Sequence, residues 1–242
     1  MRFAWDEQTN RWFLDASIYT GFHKILAQKI VPFIEPGDSL LDAGCGLGRL
    51  DLELAAFVSS LTAIDLSENA IAALQRDAEA LGLKNLSASV RDASSLSEQF
   101  DIALLSFFGQ SNMLDFLKLC RKRLVRIAGA DNRSGLYPER YRCTVKDTVP
   151  TIIEELDKNS VPYKLELHTI EFGQPLKSRQ DAEQYILKNA PEATAHEIGE
   201  FLEKSITYTG REEFPLYLPN PKELGIFIID VIDTDIDTDK EI

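Results

Sequence analysis

No apolar stretch in the chain is long enough to cross a bilayer; the longest, Ile102 to Phe108, is interrupted by Ser106. The opening residues, MRFAWDEQTN, lack the apolar core of a secretory signal. Cysteine is sparse. Cys45, Cys120 and Cys143 are odd in number and make no Cys-x-x-Cys pair, which argues against a disulfide framework and for free thiols in a cytoplasmic protein. Histidine is equally sparse, and His23, His168 and His196 have no metal-site spacing, so no metal is expected. Positive charge is in deficit: 26 Lys and Arg against 39 Asp and Glu leave a formal net charge of -13. That excludes a broad electrostatic pull on nucleic acid or an anionic membrane. Internal repeats and low-complexity linkers are also missing, so the 242 residues are expected to form one domain.

What is present is a regular alternation. Apolar residues at helical spacing (Trp12, Phe13, Ile18, Phe22, Ile25, Leu26, Ile30) predict one or two helices ending near Pro32. SLLDAG, LTAIDLS, LSASVRDAS, FDIALLSFF and LVRIAGA read as strands. RLDLELAAFV, ENAIAALQRDAEALGL and MLDFLKLCRKR between them read as helices, the second with Ser67 as N-cap and Gly82 near its end. Strands separated by helices predict a parallel sheet covered on both faces. TVPTIIEELDKNS follows as a helix and YKLELHTIEF as a strand. RQDAEQYILKNA and TAHEIGEFLEKSI are two short helices, and ELGIFIIDVI is a last strand.

In LLDAGCGLGRLDLELA, Gly44, Gly46 and Gly48 sit between the first strand and its helix. Glycine costs backbone entropy, so three of them imply a tight turn or a close approach to the backbone. A helix beginning there offers free N–H groups to an anion. The spacing is Gly-x-Gly-x-Gly, and Arg49 stands where a dinucleotide fingerprint places its third glycine. A plain βα turn is the alternative. Three acids, Asp42, Asp65 and Asp92, fall at the carboxyl ends of the first three strands, the edge where open α/β sheets bind ligands. An acid at the end of the second strand suits ribose hydroxyls, since a carboxylate can accept from both.

Taken together, LLDAGCGLGRL, LTAIDLS, VRDASSL and FDIALLSFFG resemble, in order and distance, the class I S-adenosylmethionine-dependent methyltransferases over residues 38 to 131. The resemblance implies an α/β, Rossmann-like three-layer sandwich with a mostly parallel seven-stranded sheet whose last strand is antiparallel, inserted beside the fifth. It implies that Gly44, Cys45, Gly46 and Gly48 pass under the methionine part of S-adenosylmethionine, with Asp42 near its amino group. Asp65 would hold the ribose, Leu66 would pack on the adenine, and Asp92 with Ala93 would reach the adenine amine. Ser106 and Phe107 occupy the place of a methyl-transfer motif, but SFFG is not the Asn-Pro-Pro-Tyr form of amino-methylating enzymes. The products would be a methylated small molecule and S-adenosylhomocysteine.

Within the single domain, 1–37 form an N-terminal helical cap, 38–172 the core, 173–222 a helical insert, 223–232 the last strand and 233–242 an acidic tail. His23 and Tyr19, on the capping segment, are the candidate catalytic residues; packing is the alternative for both. Trp5, Trp12, Tyr19 and Phe22 are either core or a lid over a sulfonium. Cys45 is read as small rather than reactive. Between residues 118 and 146 the charge balance reverses to nine bases against Asp131 and Glu139. Lys118, Arg121, Lys122 and Arg123 read as a solvated helix face, whereas Arg133, Arg140 and Arg142 in the loop after the fifth strand predict an anionic acceptor. Two other functions fit less well: a non-catalytic S-adenosylmethionine sensor, and a nicotinamide-dependent oxidoreductase, against which Arg49 and Asp42 count.

Overall fold

A computed structural model describes residues 5–109, 113–131, 135–141 and 147–231. β1 (Ser39–Ala43), β2 (Ser60–Asp65), β3 (Leu86–Val90), β4 (Phe100–Ser106) and β5 (Cys120–Gly129) run parallel, with β1 between β2 and β4. β6 (Lys164–Glu171) closes the far edge, and β10 (Pro221–Asp230) lies antiparallel between β5 and β6. The order is therefore β3-β2-β1-β4-β5-β10-β6, seven strands with the last one inserted beside the fifth. All five parallel strands deliver their carboxyl ends to one edge.

Side chains alternate across the pleat and so divide the core in two. Leu40, Ile102, Leu104, Val125, Ile127 and Ile226 face one layer, with Leu26 of α2 (Phe22–Ile30), Leu54 of α3 (Arg49–Leu54) and Leu74 of α4 (Glu68–Ala80). Leu41, Ala103, Leu105, Leu124, Phe227 and Ile229 face the other, with Phe116 of α5 (Met113–Leu117) and Leu156 of α6 (Val149–Lys158). Burial on both faces is why these strands read as apolar runs. Ser67 caps α4, its Oγ accepting from Ala70 N at 3.3 Å.

Two expectations need correction. The helix predicted over MLDFLKLCRKR stops at Leu117, and β5 already begins at Cys120. Arg121, Lys122 and Arg123 thus sit at the amino end of the sheet. Arg121 pairs with Asp101 at 2.9 Å, Lys122 with Asp38 at 2.6 Å and Arg123 with Asp230 at 2.6 Å. These pairings make strand-end clasps of bases that periodicity assigns to a helix face; Lys118, Arg121 and Lys122 are nonetheless exposed, as expected.

The insert is not purely helical either. Beside α7 (Arg179–Asn189) and α8 (Ala195–Ser205) it contains a three-stranded sheet of β7 (Gln174–Leu176), β9 (Leu216–Leu218) and β8 (Thr207–Tyr208). Each of these strands is too short to carry a periodic signal. The insert packs on α1 (Glu7–Thr20) through Trp12, which is buried among Leu176, Ile186, Leu202 and Leu218. The Trp12 indole N–H donates to Asp181 at 3.0 Å, and the Arg11 guanidinium reaches the same carboxylate at 2.5 Å. N-terminal helix and insert are therefore one packed body. Residues of the acidic tail lie outside the described residues, as does Cys143.

Candidate functional site

Gly44, Gly46 and Gly48 all have left-handed backbones, with φ of +76°, +54° and +65°, which L side chains rarely adopt. A Cβ on Gly44 would enter the Phe108 ring, and one on Gly48 would enter the Leu74 side chain. The protein's own packing therefore accounts for two of the glycines. At Gly46 the neighbour is the Trp5 indole, 2.7 Å from where a Cβ would stand. This is the one glycine approached from the N-terminal segment.

The amides of the turn differ from the sequence expectation. Gly44 N and Cys45 N both donate to the Ile64 carbonyl, at 2.8 and 3.0 Å. Gly46 N donates to Asp65 Oδ2 at 2.9 Å. These three donors are spent on the end of β2 and are not offered to an anion. The donors left for a ligand carboxylate are the first N–H groups of α3, which no side chain caps. Arg49 pairs with Asp77 of α4 at 3.5 Å, so the place of a third glycine is used to join two helices.

Asp65 is held by two backbone amides, Gly46 N on one oxygen. Its second oxygen accepts from Ser67 N at 2.8 Å, so two backbone amides fix the carboxylate while its outer lone pairs remain. Arg91 N bonds to the Asp65 carbonyl at 3.1 Å and brings the end of β3 alongside. There Asp92 is exposed, and its Oδ1 accepts from Ser94 N and Oγ at 2.9 and 2.8 Å. Leu66 is 47% exposed beside Asp65, and Ala93 packs on the second core layer. Asp42 is buried below the turn, and Asp51, from α3, is buried with it. Burial holds the Cys45 thiol protonated, with Asp51, Asp42 and Asp65 adding to the effect, as suits a small wall residue rather than a nucleophile.

Ser106 ends β4, and Phe107 follows with φ +48°, a strained geometry for a side chain of its size. It begins an aromatic wall. Phe107 lies 6.3 Å from Phe22, Phe22 4.4 Å from Phe172, His23 5.3 Å from Phe13, and Phe13 5.2 Å from Trp5, between ring centroids. The wall so runs from the post-β4 segment back to Gly46. The Lys222 ammonium, from the start of β10, sits 4.0 Å over the Phe107 ring. Tyr19, the other catalytic candidate, is not part of this wall; it stacks on Tyr217 at 5.1 Å and lies under the Arg211 guanidinium, docking α1 on the insert.

His23 is in the wall, its Nδ1 hydrogen-bonded with Ser17 Oγ at 2.7 Å. Burial, and then the charges of Arg49 and Lys222, lower its imidazole to about 3. It is neutral at physiological pH. Between pH 3 and 6.5 the unfolded chain binds a proton that the folded one refuses, so this residue's contribution is full above about 6.5 and is lost as pH falls. The stability gap between wild type and His23→Gln is expected to change by up to about 1.4 kcal/mol per pH unit on acidification. Urea unfolding of both proteins at pH 7.5 and 5.5 measures it; a pH-independent gap contradicts a buried imidazole.

Of the three arginines predicted to meet an anionic acceptor, Arg133 and Arg142 lie outside the described residues. Arg140 is 65% exposed and pairs with Glu197 of α8, so it is neutralised rather than poised. Sequence reasoning missed Asp51, Phe172 and Lys222. Only Asp51 had a signal: it is three residues before Leu54, on the buried stripe of α3. Among the described residues no group of three or more His, Cys, Asp or Glu is placed to hold a metal, and no helix is long and apolar enough to cross a membrane. A hollow of about 390 Å³ lined by Gln75, Ala78 and Leu86 lies between α4 and β3, away from the glycine turn.

The family described as Methyltransferase domain matches residues 40–126, the span holding the glycine turn, Asp65, Asp92 and Phe107. A curated relative described as a probable cobalt-precorrin-6B C(15)-methyltransferase (decarboxylating), from Methanosarcina acetivorans, is 26% identical; the match covers 53% of this chain and 81% of the relative. A SAM-dependent methyltransferase from Aquifex aeolicus has a similar structure, with TM-score 0.58 and 15% identity over 95% of this chain and 100% of that one. The cyclase SpnF is similar too, with TM-score 0.52 and 16% identity over 86% of this chain and 80% of that one. The fold alone therefore does not decide the reaction.

Proposed function

We propose that this chain, which resembles the class I, Rossmann-like S-adenosylmethionine-dependent methyltransferases and matches the methyltransferase-domain family over residues 40–126, transfers a methyl group from S-adenosylmethionine to a small anionic acceptor held against the aromatic wall. The observation that carries this reading is the placement of two features on one sheet edge: the Asp65 carboxylate fixed to the Gly46 amide, and the wall from Trp5 to Phe107. The residues fit the cofactor's chemistry. Asp65 keeps lone pairs for vicinal hydroxyls, Leu66 offers an exposed apolar face, and Asp42 has an orphaned oxygen for an ammonium. Bound S-adenosylmethionine supplies a methyl group on a positively charged sulfur.

The chain's own part is positioning and exclusion of water. Transfer in line needs the acceptor atom held behind the methyl carbon, which orientation supplies. The aromatic wall gives a weakly polar surroundings in which a cation loses its charge readily, and ring faces favour the sulfonium while it lasts. Neutral His23, tethered through Nδ1 to Ser17, serves the wall as a fixed uncharged ring, since an imidazole lowered to about 3 is a weak base. Lys222, whose ammonium lies over the Phe107 ring, is the cation of the wall nearest to where such an acceptor would sit.

Asp65→Ala should weaken S-adenosylmethionine binding by about 1.5–3 kcal/mol, roughly tenfold to 150-fold, because it removes the ribose acceptor and frees the Gly46 amide. Calorimetric titration reads this, and an unchanged affinity removes Asp65 from the site. The acceptor class is tested by methyl transfer from labelled cofactor to carboxylate-bearing metabolites and their neutral amides. Lys222→Gln is expected to raise KM for the carboxylates alone. Equal turnover of both sets contradicts an anionic acceptor, and binding without transfer to any metabolite leaves a sensor.

A further inference from the structure

Asp42 closes β1 and Asp51 lies in the first turn of α3, so the glycine turn folds one over the other. Both are buried, at 2% and 0% exposure. Their carboxyls are in hydrogen-bond reach of each other, yet Asp42 Oδ1 and both oxygens of Asp51 have no other side-chain partner. Two carboxylates cannot donate to one another. The contact is satisfied only if a proton lies in it, as for any pair of like charges packed this closely.

The surroundings offer no substitute for that proton. Asp65 faces the pair from the end of β2 with its carboxylate already bonded to Gly46 N and Ser67 N, and the Cys45 thiol faces it from the turn. Arg49, on the same helix as Asp51, is turned to Asp77. His23 on α2, which packs against α3, is neutral. Among the described residues no cation acts on either carboxyl. Burial first, then the charge and hydrogen bond of Asp51, push Asp42 well above the ordinary carboxylate range, and burial pushes Asp51 up to about 7.

We propose that Asp42 and Asp51 form a proton-sharing pair that receives the ammonium group of the methyl donor, so that donor binding expels a proton. The step balances: an O–H bond of the pair breaks, its electron pair stays on the carboxylate facing the ammonium, and the proton passes to solvent. Asp51 acts here as a positioning residue, since it works through Asp42. The inference rests on the reading of the glycine turn as the donor site.

The test is calorimetric titration of the full chain with S-adenosylhomocysteine at pH 5.5, 6.5 and 7.5. Each titration is run in two buffers of different ionisation heat, so that protons released are counted directly. Affinity is expected to rise with pH, by up to about tenfold per unit for one proton, with release measurable near pH 6.5. His23 is silent in this window. Asp51→Asn, whose amide can donate to Asp42, is expected to flatten the pH dependence and abolish the release. 5′-Methylthioadenosine, which lacks the ammonium, should bind equally at all three pH values. Binding of S-adenosylhomocysteine without pH dependence or proton release in the wild type overturns the pair's role, and needs no variant to fold. The same pH dependence for 5′-methylthioadenosine overturns its placement at the ammonium. Failure of S-adenosylhomocysteine to bind at any pH overturns the donor site itself, and this inference with it.

Discussion

Gly46→Val is expected to abolish measurable binding of S-adenosylmethionine, a loss of at least about 100-fold, while the seven-stranded sheet still forms. The residue has φ +54° and its neighbour is a ring, not the core. Valine there carries a backbone penalty of about 1–3 kcal/mol. Its branched side chain also claims the face that Trp5 now covers and that a cofactor lying on the turn requires. The donor from Gly46 N to Asp65 goes with the altered backbone, so the proposed ribose acceptor loses its anchor. Gly48→Ala is the control: its Cβ enters Leu74 in the core, so it lowers stability first. Far-UV circular dichroism and calorimetry together separate the two. Wild-type affinity in Gly46→Val makes the segment a turn and nothing more.

Arg126→Met should cost about 3–5 kcal/mol of stability, since it breaks a buried charge network at one partner. Arg126 is buried on β5 and its Nη2 donates to Asp147 at 2.8 Å and to the Phe108 carbonyl at 3.0 Å. Methionine fills much of the volume but leaves the carboxylate and the carbonyl without their donor. Phe108 is also the ring that closes over Gly44, so the segment after β4 is expected to loosen and cofactor affinity to fall with stability. Adding Asp147→Asn should recover part of the loss, because the orphaned charge is then gone. A loss under about 1 kcal/mol in the single variant shows that water reaches the pair.

Elements whose pattern is set by their own residues were legible in the chain. β1, β2, β4 and β10 are buried on both faces and read as apolar runs; Ser67 before α4 and the glycines after β1 mark helix starts. The strand carrying CRKR was not, because its bases satisfy acids at Asp101, Asp38 and Asp230 that are distant in sequence. The strands β7, β8 and β9 are two or three residues long and exist through pairing alone.

The site divides in the same way. Asp42, Asp65 and the turn follow from local sequence at strand ends. The reasons for Gly44 and Gly48 do not, since Phe108 and Leu74 come from other elements. Lys222 reaches Phe107 only because β10 runs antiparallel and brings its start to the edge where β4 ends, and Phe172 meets Lys222 there from the end of β6. Arg140 shows the converse: a basic loop residue looks available in sequence until Glu197 of α8 is folded against it.

Calorimetric titration of the wild-type protein with S-adenosylmethionine and, separately, with NADH tests whether the edge built by Gly46 and Asp65 binds the methyl donor. Saturable one-to-one binding of S-adenosylmethionine with no heat from NADH is the expected result. Binding of NADH alone, or of neither, contradicts it.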